Sequence, residues 1–428
     1  MLRAELPILF CAVALHFVVR SVVAFTARRA PVPVRVRHMR KAARAAFRRS
    51  SQEKGNTPLN TPRSGWDPPS VARRLLVVAA VMMLPATAFG GAKVYEKDDF
   101  TLELGMRIQA RMEYSRIPAV GGGTEWLRDY MIRRARLKAN GKIQGCTYGS
   151  EWKIDGTDQN GSTPTAAVEN AWIQYPLGKG VSAKAGLYDA PFSRDLLTSD
   201  SKQLAVDRGA VSAVPSALGL VDNVVGLNFL GSMKQGHVQY AAGFFDNRVV
   251  PARRQDIPMI AGRVDLNMGS TKDIYQDAHF GKDKWYCLGL NGSVQSSIDG
   301  AVAQDSITTE AAGADGMIDV PFGRGRLLVR GEINAIRIES TGGTGDKNST
   351  VRMLGAGYLM MKERVQPFVR FDQIRGDTPI GGTERDITYA GANFYQKGHG
   401  LKIQGDLLFV SGNGESLDGG RLQAQIDF

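Results

Sequence analysis

Cysteine and histidine are scarce in this chain, and neither is arranged for chemistry. Of three cysteines in 428 residues, Cys11 lies near the start while Cys146 and Cys287 stand far apart, with no CxxC and no Cys/His cluster. That excludes a disulfide framework, a zinc site and a dithiol redox motif. Of five histidines, only His237, His279 and His399 lie beyond residue 90, none spaced with a Ser, Asp or second His as a catalytic set requires. The reading is therefore not an enzyme, and no cofactor or metal is implied. Long apolar runs are lacking too. Residues 7–25 are broken by His16 and Arg20, so no membrane-spanning helix is expected.

A surplus of charge of one sign is also missing where it would matter. The formal net charge is +12, which taken whole points to nucleic acid. Residues 1–90 carry 15 basic and 3 acidic residues, leaving 39 of each in the rest. The basic signal belongs to the N-terminal segment alone, and no nucleic-acid partner is expected. Within that segment, residues 71–92 read VARRLLVVAAVMMLPATAFGGA. Two arginines, a short apolar core and a small-residue exit are the layout of a secretory signal peptide, cleaved near Ala88 to Ala92. Residues 1–70 are rich in Arg, Ala, Val and Pro and are read as an over-extended gene start or a disordered basic segment. Residues 93–428 then form the mature domain.

What this domain has is alternation. Phe100 to Tyr114 puts Phe100, Leu102, Leu104, Met106, Ile108, Ala110 and Met112 on one face, and Glu103, Arg107, Gln109, Arg111 and Glu113 on the other. Strands point successive side chains to opposite faces. Similar segments are expected at 129–143, 147–155, 167–176, 180–188, 221–230, 237–246 and 259–268. Others follow at 285–293, 306–318, 326–338, 351–361, 365–375, 386–396, 400–410 and 421–428. That makes sixteen strands, with longer polar connections after odd strands and short turns after even ones, Gly269–Lys284 excepted. An even strand number and one rim of short turns suit an all-β transmembrane barrel with periplasmic turns and extracellular loops. Aromatic residues near strand ends (Tyr114, Trp126, Tyr130, Trp152, Tyr175, Trp285, Tyr286, Tyr395, Phe409) fit interfacial girdles. The last strand, RLQAQIDF, ends on an aromatic residue.

The stretch Asp129–Ile143, DYMIRRARLKANGKI, is the most charged of these strands. Strict alternation sets Met131, Arg133, Ala135, Leu137 and Ala139 against Tyr130, Ile132, Arg134, Arg136, Lys138 and Asn140. Three cations in a row, about 7 Å apart, need water or anions beside them, as in the lumen of a channel. Arg107, Arg111, Arg134, Arg136 and Lys138 would form one basic wall patch that favours anions. Lys184, Arg263, Arg330, Arg370, Lys402 and Arg421 also fall on polar strand faces. The long segment 189–220 is read as a loop folded into the lumen, contributing Arg194, Lys202 and Arg208, with a surface loop as the alternative. Glu103, Glu113, Glu151, Asp265, Glu332, Asp372 and Asp406 share the polar faces, so a pore without ion preference also fits. A soluble all-β binding protein is the remaining rival.

The order IRRARLKANGKI (132–143), EWKID (151–155), VENAWIQY (168–175), AGLYDAPFSRDLLTSD (185–200), LKIQGDL and RLQAQIDF resembles the phosphate-selective porin O and P family across about residues 100–428. The resemblance implies a sixteen-stranded barrel among outer-membrane lipids, trimeric, passing small anions such as phosphate or polyphosphate. It matches the family's constriction Arg pair to Arg133 and Arg134, and a carboxylate on a following strand to Glu169. Alternation sends Arg133 and Arg134 to opposite faces, so a rim position, a bulge or a misassigned pair is expected there.

Overall fold

The computed structural model describes residues 91–118, 123–155, 165–178, 180–246, 253–299, 306–340, 346–360, 362–377, 384–412 and 418–428. The segment 1–70 and almost all of the expected export signal at 71–92 lie outside them. The described strands are β1 (Ala92–Lys97), β2 (Phe100–Pro118), β3 (Thr124–Ile143), β4 (Cys146–Asp155), β5 (Thr165–Gly178), β6 (Val181–Tyr188), β7 (Val224–Met233), β8 (Val238–Asp246) and β9 (Arg253–Gly269). They continue as β10 (Trp285–Asp299), β11 (Ser306–Phe322), β12 (Gly325–Ser340), β13 (Lys347–Leu359), β14 (Val365–Gly376), β15 (Arg385–Lys397), β16 (Leu401–Ser411) and β17 (Gly419–Asp427).

Sixteen of these, β2 to β17, pair antiparallel in chain order and close into a barrel where β17 meets β2, from Gly419↔Ser115 to Asp427↔Arg107. The expected strand number holds. Closure joins the two edge strands to each other, which is what a membrane requires of strands. β2 is longer than β17, and its first residues extend past the C-terminal Phe428, which bonds to Met106. The unexpected β1 covers that remaining edge, pairing Ala92 to Lys97 with Leu104 to Phe100. Short turns connect one rim; at Gln144–Gly145 both residues take positive φ (48° and 80°), the conformation a two-residue hairpin needs.

Burial decides between membrane and water. Arg107, Arg134 and Arg136 are about as buried as core residues, while Leu137 (46% exposed), Phe244 (51%) and Leu354 (60%) face outward. A soluble sheet does the reverse. The apolar outer band and polar interior are those of a transmembrane barrel, and the soluble rival falls with this observation. Tyr114, Trp126, Tyr130, Trp152, Tyr175 and Phe409 are outward, as expected of girdles. Trp285 and Tyr395 are not: both turn into the lumen, where the indole N–H donates to the Lys272 carbonyl (3.1 Å) and the Tyr395 hydroxyl to Gln366 (2.7 Å). Buried aromatic rings with a polar end go where that end finds a partner.

The packed core lies inside the barrel. The segment between β6 and β7 folds inward, carrying α1 (Arg194–Leu197) and α2 (Ala210–Ala217). Its Phe192, Leu196, Val211, Val214 and Leu220 pack on Phe245, Met259, Ala311, Ile336 and Met353 of the wall. The alternative of a surface loop is thereby excluded. Residues 270–284, the one long connection on the turn side, also fold in: Ile274 joins Leu204, Trp285, Met317 and Phe368 in a second cluster. Asp277 ties the two inserts, accepting from the Leu204 N–H (2.8 Å) while its own N–H donates to the Lys202 carbonyl (2.9 Å).

Candidate functional site

Alternation fails where it matters most. β2 and β3 pair Gln109 with Arg134 but Ala110 with Ile132, so Arg133 is the extra residue of a β-bulge. One added residue re-aims the side chains on its own strand. Ile132 and Tyr130 therefore face outward (40% and 50% exposed), whereas strict alternation had put them on the basic face. Arg133 and Arg134 both reach the lumen side. A second bulge follows between β4 and β5, where Glu151 pairs with Asn170 but Trp152 with Val168, and Glu169 is the extra residue. Of the three positions taken from the family resemblance, Arg133 and Glu169 are thus bulge residues and Arg134 is the paired neighbour of one.

The lumen loop brings carboxylates to this wall. Asp207 accepts from both terminal nitrogens of Arg111 (2.7 and 2.8 Å), pairs with Arg421 (3.0 Å), and lies 3.8 and 3.7 Å from Arg133 and Arg134. Asp200 pairs with Arg134 (2.9 Å) and Arg208 (3.3 Å). From the strands, Asp427 takes Arg107 (3.0 Å) and Lys138, and Glu169 takes Arg136 (3.2 Å) and Lys153 (2.8 Å). Glu151 lies between Arg136 (3.5 Å) and Arg107 (3.9 Å). Burial pushes the Asp200 carboxyl up, but Arg134, Arg208 and Arg107 more than offset this and hold it well below the usual range. Asp207 behaves likewise: burial opposes ionisation, and the Arg111 hydrogen bonds with Arg421 and Arg134 overcome it. Burial lowers Arg208, but Asp200 and Asp189 outweigh it and raise it further. These ion pairs stay charged throughout the physiological range.

Arg107, Arg111, Arg133, Arg134, Arg136, Lys138, Glu169 and Arg208 therefore come together. Arg194 and Lys402 do not. Arg194 sits beneath the loop, donating to Asp315 (2.6 Å), Asp265 (3.2 Å) and the Ile274 carbonyl (2.8 Å). Lys402 lies under the loop and donates to the Gln203 carbonyl (3.4 Å). Both are almost fully buried, so they anchor the loop rather than line water. Arg263 and Arg330 serve the same end, through Asp315 and Asp265 and through Asp195 and Asp277. Sequence reasoning missed Lys153, Asp200, Asp207 and Asp427. Lys153 and Asp427 could have been found by alternation within their strands; Asp200 and Asp207 have no sequence signal, because only the inward fold of the loop places them. The basic wall is a mixed network in which cations outnumber carboxylates.

Residues 103–278 match the model of the family described as phosphate-selective porin O and P. Over that stretch the chain resembles this porin family. A protein of Aquifex aeolicus (strain VF5), described as uncharacterized, is 21% identical over 349 residues, covering 72% of this chain and 82% of the relative. Among solved structures, the chain is similar to an anion-selective porin from Comamonas acidovorans (15% identity, 77% of this chain, 100% of the other, TM-score 0.52). It is also similar to the outer-membrane channel DcaP of Acinetobacter baumannii (10%, 79%, 100%, 0.52). A third is in-vitro folded OmpT of Vibrio cholerae in its trimer form (8%, 77%, 100%, 0.51). At these identities the likeness is one of fold. The family match over residues 103–278 and the closed barrel support an outer-membrane channel.

Proposed function

We propose that this porin is a passive, water-filled channel for small hydrated anions, constricted between the lumen loop and the β2–β5 wall. The observation that carries the reading is the bulge at Arg133. It sets two adjacent guanidinium groups on the lumen side of one strand, which a regular strand cannot do. Rings of Arg and Lys favour anions in a pore, and the planar guanidinium fork suits phosphate oxygens. Phosphate and polyphosphate are accordingly among the proposed solutes. Arg133 (37%) and Lys153 (35%) have the two most water-exposed side chains of the network. Asp207, Glu151 and Glu169 are more enclosed.

A pore without ion preference is the second reading, because each wall cation named above has a carboxylate within 4 Å. The outward apolar band supports contact with outer-membrane lipids, and the trimeric form of a fold neighbour supports a homotrimer. Residues 71–92 would direct export. Purified barrel in planar bilayers should give stepwise conductance in chloride, and millimolar phosphate should reduce it, less so in Arg133→Ala. Absence of steps would sink the channel; steps indifferent to phosphate would remove phosphate as a solute and leave a generic anion pore.

A further inference from the structure

Toward the turn end of the lumen lies a cation that the constriction does not use. Lys184, on β6, places its ammonium 4.3 Å from the ring centroids of both Trp172 and Tyr188. No ion pair or side-chain hydrogen bond of this ammonium occurs among the described residues. Every wall cation of the constriction, by contrast, meets a carboxylate. Ring faces stabilise an ammonium without neutralising it, so its N–H donors remain available.

The two rings are held in place. The Tyr188 hydroxyl donates to the Lys184 carbonyl (2.9 Å), and its ring meets Phe245 edge-on at 5.9 Å. Trp172 lies across Gly149, where a Cβ would come within 2.6 Å of the indole. Opposite it, Gly186 takes φ +132°, and a Cβ there would approach the Trp172 Cα to 2.7 Å. Lys184 and Tyr188 line a cavity of about 820 Å³ shared with Gln174, Asp189, Asn228 and Leu230. Asn228 is buried, and its amide oxygen has no hydrogen-bond partner among the described residues.

This combination has a definite ligand chemistry. An unpaired ammonium attracts one anionic head group, ring and leucine surfaces pack an apolar body, and the Asp189 carboxyl, once ionised at alkaline pH, opposes a second negative charge. We propose that this cavity is a subsite for small organic monocarboxylates with an aromatic or apolar body. The proposal rests on the anion-channel reading only for delivery of the ligand.

The test is calorimetric titration of the folded, detergent-solubilised barrel with benzoate, with acetate lacking the ring and phthalate carrying a second charge. Benzoate should bind more tightly than either. Lys184→Met should weaken benzoate at least about tenfold, equivalent to about 1.4 kcal/mol, whereas Lys184→Arg should lose less than about threefold. Asn228→Asp, which adds a carboxylate to the cavity, should weaken it as well and serves if Lys184→Met fails to give the heat-shifted band of a folded barrel. Equal affinity in wild type and in Lys184→Met or Asn228→Asp, or no benzoate binding by wild type, overturns the subsite. Reversal potentials measured on the same wild-type protein separate the two ideas. Cation selectivity with benzoate binding intact would remove the anion-channel reading alone, and anion selectivity without binding would remove the subsite alone.

Discussion

Replacing Asp207 with Asn changes one charge at the point where loop and wall meet. Its carboxylate is shared by Arg111, Arg421, Arg133 and Arg134, so the substitution leaves four guanidinium groups facing a neutral amide. For a permeating ion about 7 Å away, one added positive charge is worth roughly 0.6 kcal/mol in water. Screening at physiological salt cuts this by about half. Anions gain and cations lose the same amount, so the chloride-to-potassium permeability ratio should rise about two- to sevenfold. The assay is the reversal potential in a KCl gradient, with Asp207→Glu as the control that restores the charge. Asn also keeps the volume and one acceptor oxygen, so the loop should remain seated. A ratio that is unchanged, or that moves toward cations, would refute the placement of Asp207 on the ion path.

Acidity should act through Asp189 and Asp222, at the two ends of the lumen loop. Burial, opposed by Arg208 and reinforced by the neighbouring Asp222 charge, pushes Asp189 up to about 7. Burial raises Asp222 too, with Glu169 and Asp200 adding to it and Arg208 opposing. A carboxyl raised in the folded state holds a proton that the undocked loop would release above its ordinary value near 4. Docking is therefore strongest on the acid side and weakens as pH rises through about 7. Chloride preference should be greater at pH 5.5 than at pH 8, and Asp189→Asn should flatten that difference. Asp277→Ala removes the carboxylate that meets Arg330 through both oxygens (2.5 Å) and the Leu204 N–H (2.8 Å). Breaking a buried pair by deleting one partner costs about 3–5 kcal/mol. Tryptic cleavage at Lys202 and Arg208 should accelerate while the barrel stays folded. Deleting Arg133 straightens the ladder, which should abolish phosphate block without altering the heat-shifted gel band.

The barrel was legible because its cause is local. Each strand declares its own dry face, as in the run Leu104, Met106, Ile108 against Arg107, Gln109, Arg111, and counting such runs reached the closed ring. β1 was missed because AKVYEK is short and carries no such alternation. The bulges were half legible. A two-residue period contains no mark for an inserted residue, yet the adjacency of Arg133 and Arg134 conflicted with that period, and the conflict was itself the sign. The fate of residues 189–220 and 270–284 was not legible, because their docking rests on pairs remote in sequence, such as Asp195 with Arg330 and Arg194 with Asp315. For the same reason Arg194 and Lys402 looked like pore residues: sequence gives the polar face of a strand or loop, but not whether water or an insert covers it.

In the proposed channel the bulged Arg133–Arg134 pair, facing the lumen loop, sets the ion path. Reversal potential across a tenfold KCl gradient, compared between wild type and the double variant Arg133→Ala/Arg134→Ala, tests it most directly. The expected result is an anion-selective wild type whose preference falls toward neutrality or cations in the variant. A cation-selective wild type, or a variant with undiminished anion preference, would contradict it.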